Sequence, residues 1–98
     1  MRSTRAMENP EPSTRPRLAP HVRMVFNGAR QEYALLSPER IWAINRTGAT
    51  IVELCDGQRT IAEITAELRG RYDQVADGDV QRFVAELVTK HGMEVEHG

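Results

Sequence analysis

The sequence predicts an α+β domain in which a three-stranded antiparallel sheet is followed by three helices. Three runs of residues, 22–27, 32–37 and 40–45, are short, apolar or alternating, and separated by turn residues, as expected of strands. Farther along the chain, apolar residues recur every three or four positions behind residues that cap helices. Strands followed by helices fit a sheet with helices packed on one face.

The turns between the strands predict their pairing. Asn27-Gly28 readily takes the positive φ values of a two-residue hairpin turn, so the first strand should fold back on the second. Ser37 and Pro38 favour a tight turn between the second and third strands, because proline fixes φ and serine can bond the local backbone. The strands should form a meander with residues 40–45 at an edge.

Capping residues mark the starts of the first two helices. Asn45 offers a side-chain oxygen to the free N–H groups of a helix over residues 46–55. Thr60 and Glu63 have the spacing of a capping box, which predicts a second helix that ends near Gly70.

The third helix begins near Asp77 or Asp79, either of which can cap it, and ends at a cation and a glycine. Met93 and Val95 should add a short extended end. The residues that this helix is expected to bury are Val80, Phe83, Val84 and Leu87.

Composition limits the domain and its functions. Residues 1–15 are rich in proline and poor in apolar side chains, which predicts a disordered tail before a domain over residues 16–98. With 98 residues and a net charge of −1, the chain has room for one domain and no charge excess to attract nucleic acid or a membrane surface. No apolar segment has the length of a signal peptide or membrane span, so we expect a cytoplasmic protein.

The sequence supports no catalytic, metal or cofactor site. Cys55 is the single cysteine, and its apolar helical setting predicts a buried, inert thiol. The three histidines, His21, His91 and His97, lack the spacing of metal ligands. Asp77 and Asp79 are interpreted as capping residues, because neither lies in an apolar setting that would suit acid/base chemistry.

The third predicted strand is the strongest functional signal in the residues themselves. Its middle residues, 41–44, carry no proline, charge or other feature that protects a sheet edge from pairing with another chain. Either another segment covers this edge or it is open to a ligand. Alternation places Trp42 and Ile44 on the face opposite Ile41 and Ala43, so only one of these pairs can point at the core.

The order and spacing of several motifs resemble the PqqD family of pyrroloquinoline quinone (PQQ) biosynthesis. The resemblance covers most of residues 16–95. The motifs are Pro16-Arg17-Leu18, Leu35 to Arg40, Ile44-Asn45, Leu54-Cys55-Asp56-Gly57, Thr60 to Ile64, Arg71-Tyr72 and the apolar helix from Val80 to Leu87.

The resemblance implies a winged helix-turn-helix-like peptide chaperone that has no cofactor. Such a protein would bind a ribosomal precursor peptide as an added strand and present it to a radical S-adenosylmethionine enzyme. The third strand and the third helix would form the walls of the binding groove. The residues expected to bind the peptide are Arg40, Ile41, Trp42, Ala43 and Ile44 on the strand and Arg82, Phe83, Glu86 and Leu87 on the helix.

Two alternatives remain open from the sequence. Phe83 and Leu87 could pack in the core, and Arg82 and Glu86 could form a solvated i,i+4 pair. The second and third helices could also belong to a winged helix-turn-helix DNA-binding regulator, although the outward side chains of the third helix are close to neutral.

Overall fold

The protein contains five strands and three helices over residues 10–96, which are the residues that the computed structural model describes. The strands are β1 (Arg15–Leu18), β2 (Arg23–Asn27), β3 (Glu32–Leu36), β4 (Ile41–Ile44) and β5 (Met93–Glu96). The helices are α1 (Arg46–Leu54), α2 (Ile61–Arg71) and α3 (Asp79–Thr89). The α+β class and the three helices are confirmed.

The predicted meander is present, in the order β2-β3-β4, and all its pairs are antiparallel. The turn between β2 and β3 differs from the prediction. Asn27 pairs with Glu32, which leaves a four-residue connection and not a two-residue turn. The side chain of Asn27 accepts hydrogen bonds from the N–H groups of Ala29 and Arg30, so it organises a longer turn.

A second sheet corrects the prediction of a single sheet. Strand β1 pairs antiparallel with β5, so the two ends of the domain lie side by side. Arg17 is opposite Glu94 and forms a 3.1 Å ion pair with it, while Pro16 and Met93 are buried. Strand β5 is the extended end predicted at residues 93–95, whereas strand β1 and its pairing with β5 were not predicted.

Helices α1 and α2 begin as their caps predict. The Asn45 side chain accepts a 2.7 Å hydrogen bond from the Gly48 N–H. Thr60 and Glu63 each accept a hydrogen bond from the other's backbone N–H, which completes the capping box.

The predicted cap of α3 is wrong. Gly78 occupies the N-cap position with φ 86°, in the left-handed region that favours glycine. Asp79 is the first helical residue, and its carboxylate accepts a 2.9 Å hydrogen bond from the Ala76 N–H. Asp79 therefore stabilises the loop before the helix and does not cap the helix itself.

The packed part of the chain starts before residue 16. The N–H groups of Ile61 and Ala62, at the start of α2, donate to the carbonyls of Thr14 and Pro12. Together with the capping box, these bonds satisfy the N–H groups of the first helical turn. Thr14 is fully buried, so the predicted tail boundary lies too late; residues 1–9 of that tail are outside the described residues.

One core joins the helices to one face of the meander. This core contains side chains from β3 and from all three helices, and Leu18, Met24, Trp42 and Ile44 pack against it. The fully buried aliphatic residues at the centre are Leu35, Ile61, Ile64, Leu68, Val80 and Val84.

No helix within residues 10–96 has both the length and the apolar character needed to cross a membrane.

Candidate functional site at the edge of β4

Strand β4 has β3 as its single neighbour within the described residues, so its other side is an open edge. The Ser37 N–H donates to the Arg40 carbonyl over 2.9 Å, which makes this pair a hydrogen-bonded one. Such pairs alternate along an antiparallel ladder. Trp42 and Ile44 therefore point their N–H and C=O groups at β3. Ile41 and Ala43 point theirs away from the sheet, which leaves two donors and two acceptors for an added strand.

The side chains of β4 divide between the two faces of the sheet. Trp42 and Ile44 are half-buried and pack against the core. Ile41 is 75% exposed on the opposite, outer face, and Ala43 is exposed beside it. The structure thus decides which of the two pairs faces the core, a choice that alternation alone left open.

Helix α3 and the residues just after it approach α1 and β4 at two points. Near its start, the Phe83 ring packs on α1 so closely that a Cβ at Gly48 would lie 3.0 Å from Phe83 Cε1. Just beyond its end, a Cβ at Gly92 would lie 3.5 Å from Trp42 Cη2. The first approach holds the start of α3 against α1 and depends on the absence of a side chain at Gly48, whereas the second places the residue after α3 in ordinary contact distance of Trp42 on β4.

The four predicted binding residues on α3 differ in their burial and in their contacts. Leu87 is buried in the core, and the half-buried Phe83 packs against the same cluster. Arg82 and Glu86 are exposed, but they do not pair with each other. Arg82 bonds Asp79, and Glu86 forms a 3.3 Å ion pair with Lys90, so the expected i,i+4 pair between Arg82 and Glu86 is wrong.

Arg40 precedes β4 and has an exposed side chain that forms no ion pair within residues 10–96. Its backbone N–H donates to Ser37 Oγ at 3.1 Å, which fixes the turn before the strand. A guanidinium without a carboxylate partner is available to a carboxylate on a ligand. Because Arg40 directly precedes β4, this cation lies at one end of the open edge.

Two pKa shifts describe the electrostatics near these elements. The hydrogen bond from the Ala76 N–H, and then that from Arg82, lower the pKa of the Asp79 carboxyl, so it is ionised at neutral pH. Burial, and then the charge of Asp56, raise the pKa of the Cys55 thiol to about 12. Cys55 is 5% exposed, so the prediction of a buried thiol with a high pKa is confirmed.

A cleft that the sequence did not indicate lies between α1 and the loop from α2 to α3. It is lined by Thr47, Ile51, Tyr72 and Asp79 among others. The hydroxyl groups of Thr50 and Tyr72 form a 2.9 Å hydrogen bond beside this cleft. No group of three histidine, cysteine or carboxylate side chains in residues 10–96 is arranged to hold a metal ion.

Comparisons with known proteins agree on one family. The family model for coenzyme PQQ synthesis protein D (PqqD) matches residues 32–91, which is more than half of the chain. A PqqA binding protein of Methylococcus capsulatus is 41% identical over 63 residues, which are 64% of this chain and 68% of that protein. A PqqA binding protein of Rhodopseudomonas palustris strain TIE-1 is 37% identical over 81 residues, which are 80% of this chain and 79% of that protein.

A solved structure extends this similarity to the fold. It is the solution NMR structure of the PqqD part of Methylobacterium extorquens PqqCD, described as a functional, stand-alone recognition element for ribosomally synthesised and post-translationally modified peptides. The match has a TM-score of 0.74 and 29% identity, and it covers 91% of this chain and 97% of that one. The chain therefore belongs to the PqqD family of coenzyme PQQ synthesis proteins.

Proposed function

We propose that this protein is a peptide chaperone of PQQ biosynthesis that binds the ribosomal precursor peptide as a fourth strand on β4. The observation that carries the proposal is the open edge, where the N–H and C=O groups of Ile41 and Ala43 point away from the sheet. Extended peptides bind such edges through backbone hydrogen bonds, which give affinity with little dependence on sequence. The names of the relatives, PqqA binding proteins, support a peptide ligand.

Side chains beside the edge would fix the register in which the peptide strand pairs with β4. Alternate residues of an added strand would point to the core face, where Trp42 and Ile44 are half-buried and Phe83 of α3 stands nearby. Apolar peptide side chains fit this environment. Arg40, Arg82 and Glu86 are exposed at the rim, where they can select among charged peptide residues. Leu87 would act from the core by supporting Phe83 and not by touching the peptide.

The protein would deliver the peptide and leave the chemistry to another enzyme. Holding the peptide on a protein that also docks on the radical S-adenosylmethionine enzyme raises the effective concentration of the peptide at that enzyme. The relatives are named as binding proteins and as a recognition element, which supports a role without catalysis of its own. A cytoplasmic location and a winged helix-turn-helix-like arrangement belong to the same proposal.

The structure gives less support to a DNA-binding regulator. A recognition helix needs cationic or amide side chains free to reach phosphates and bases. On α3, Arg82 is paired with Asp79 and Lys90 is paired with Glu86. The helix therefore offers no unpaired cation to nucleic acid.

Titration with the synthetic precursor peptide tests the proposal, with a scrambled peptide of the same composition as the control. Trp42 is the single tryptophan and lies on β4, so its emission should change in wavelength or intensity as the peptide binds. Calorimetry measures the affinity independently. Calorimetric binding with an unchanged Trp42 spectrum would move the site away from β4, and no binding of the authentic peptide would refute the proposed function.

A further inference from the structure

Two arginines bracket the open edge of β4. Arg40 directly precedes the strand, and Arg46 is the first residue of α1, two positions after the strand ends. Both side chains are exposed, and neither forms an ion pair within residues 10–96. Most lysine and arginine side chains in this part of the chain do pair with a carboxylate, as Arg82 does with Asp79. The open edge therefore has an unpaired cation at each end.

Carboxylates near the two arginines in the described part of the chain do not pair with them. Glu39 adjoins Arg40 in the turn before β4, but it forms no ion pair with the guanidinium. Beside the other end of β4, Glu32 of β3 pairs with Arg30 at 3.5 Å. Helix α1 has no acidic residue in its first turn. A cation in the first turn is repelled by the positive end of a helix, so the Arg46 charge does not stabilise its own helix.

The spacing of the two arginines matches an extended peptide laid along β4. Alternation places the Arg40 side chain on the same face of the sheet as Trp42 and Ile44, the core face. Because β4 and Asn45 are extended, the Cα atoms of Arg40 and Arg46 lie up to about 20 Å apart at about 3.3 Å per residue. Two peptide side chains about six residues apart would reach both guanidinium groups, and about four peptide residues between them would pair with β4.

We propose that Arg40 and Arg46 select a peptide segment in which carboxylate side chains lie on both sides of a short apolar stretch; this inference rests on the proposed function. A guanidinium donates paired hydrogen bonds to a carboxylate, which adds direction to the attraction between the charges. The backbone bonds of an added strand depend little on sequence, so the two ion pairs would decide which part of the precursor peptide pairs with β4. Because both ends of the edge carry the same charge, the inference holds for either direction of the peptide strand.

The charges around the edge suit a few carboxylates better than a nucleic acid. Proteins that bind nucleic acid neutralise a series of phosphates with many cations. Residues 41–45, between the two arginines, contain no cation, and the net charge of the chain is −1. An apolar peptide segment with one carboxylate at each end needs only the two cations that the edge provides.

Glutamine substitutions test the two arginines. Arg40→Gln and Arg46→Gln, singly and together, remove the charge and keep a polar side chain at each position. Arg23→Gln is the matched control, because Arg23 is also exposed and without an ion pair within residues 10–96 but lies on β2, at the opposite edge of the sheet. Thermal melting verifies that each variant is folded.

Each variant is titrated with the synthetic precursor peptide and with a neutral version in which every Asp and Glu is replaced by Asn or Gln. Exposed ion pairs are weak, so each single substitution should raise the Kd of the authentic peptide about threefold and the double substitution about tenfold. The double variant should bind the neutral peptide as well as the wild-type protein does. Added salt should weaken binding of the authentic peptide by the wild-type protein more than by the double variant. Arg23→Gln should behave like the wild-type protein throughout.

Wild-type affinity of the double variant for the authentic peptide would overturn the inference. An equal loss of affinity for both peptides would also overturn it, because the arginines would then not act through carboxylates, and so would an equal loss in Arg23→Gln. A precursor peptide that binds but has no carboxylates around an apolar stretch would have the same consequence. Failure of the wild-type protein to bind the authentic peptide in calorimetry would instead refute the proposed function itself.

Discussion

Proline substitution at neighbouring positions of β4 should separate peptide binding from folding. The Ala43 N–H points away from the sheet, whereas the Ile44 N–H points at Tyr33 of β3. Proline removes the N–H group and places a ring carbon where the hydrogen was. Ala43→Pro therefore removes a donor that only an added strand can use, and Ile44→Pro removes a bond of the protein's own ladder.

The expected magnitudes follow from these positions. Ala43→Pro removes one of two outward N–H donors and leaves a peptide carbonyl without its partner, which costs about 2 kcal/mol of binding free energy. At about 1.4 kcal/mol for each factor of ten, the peptide Kd should rise about thirtyfold. Ile44→Pro breaks a ladder bond and disturbs a half-buried side chain, so it should lower the unfolding free energy by about 3 kcal/mol. A domain of this size should then melt more than about 10 °C lower.

Peptide titration and thermal melting of both variants give the two readouts. Ala43→Ser is the matched control for position 43, because serine keeps the N–H group at an exposed site. It should bind and melt like the wild-type protein. If Ala43→Pro is folded and binds the precursor peptide with wild-type affinity, strand addition at this edge is refuted. A fully stable Ile44→Pro would show that the ladder has a different register.

Three further predictions concern other parts of the domain. Cys55, with its pKa raised to about 12 by burial, should resist a thiol reagent such as DTNB in native buffer and react fully in denaturant; rapid native labelling would show that the thiol is accessible. Deleting residues 1–15 should lower the melting temperature by several degrees, because two carbonyls that cap α2 are lost, whereas deleting residues 1–9 removes neither; equal melting curves would contradict this role. Backbone hydrogen bonds lower the pKa of Asp56 in the folded protein, so its contribution to stability is present above its unfolded-state pKa of about 3.9 and is lost as the pH falls through the lower folded-state value. Asp56→Asn should therefore make stability less dependent on pH below about pH 4, as measured by chemical denaturation at several pH values.

Local signals in the sequence were sufficient for most elements. The Asn45 cap and the Thr60–Glu63 capping box act within one helical turn, so both helix starts could be predicted from neighbouring residues. The turn at Ser37 and Pro38 fixed the hairpin that places β4 at an edge. The candidate edge was predicted for the same reason, since edge protection depends on the residues of the strand itself.

Features that depend on distant residues were decided by the tertiary structure. Strands β1 and β5 lie near opposite ends of the chain and pair with each other. The opposite charges of Arg17 and Glu94, which face each other in this pair, are a signal that could have suggested the pairing. The carbonyls of Pro12 and Thr14 belong to a proline-rich segment whose composition resembles a tail, and they become helix caps only where α2 meets them.

The sequence by itself determined the order of β2, β3, β4 and the three helices, the family, and the absence of protecting residues in β4, because periodicity, caps and turns act over a few residues. The tertiary structure decided that Trp42 and Ile44 face the core and that Ile41 faces outward. Alternation fixes which residues share a face, but only the packing of the helices selects the face that is buried. The tertiary structure also decided that Leu87 belongs to the core and that Arg82 bonds Asp79, since these contacts depend on how α3 lies against the rest of the domain.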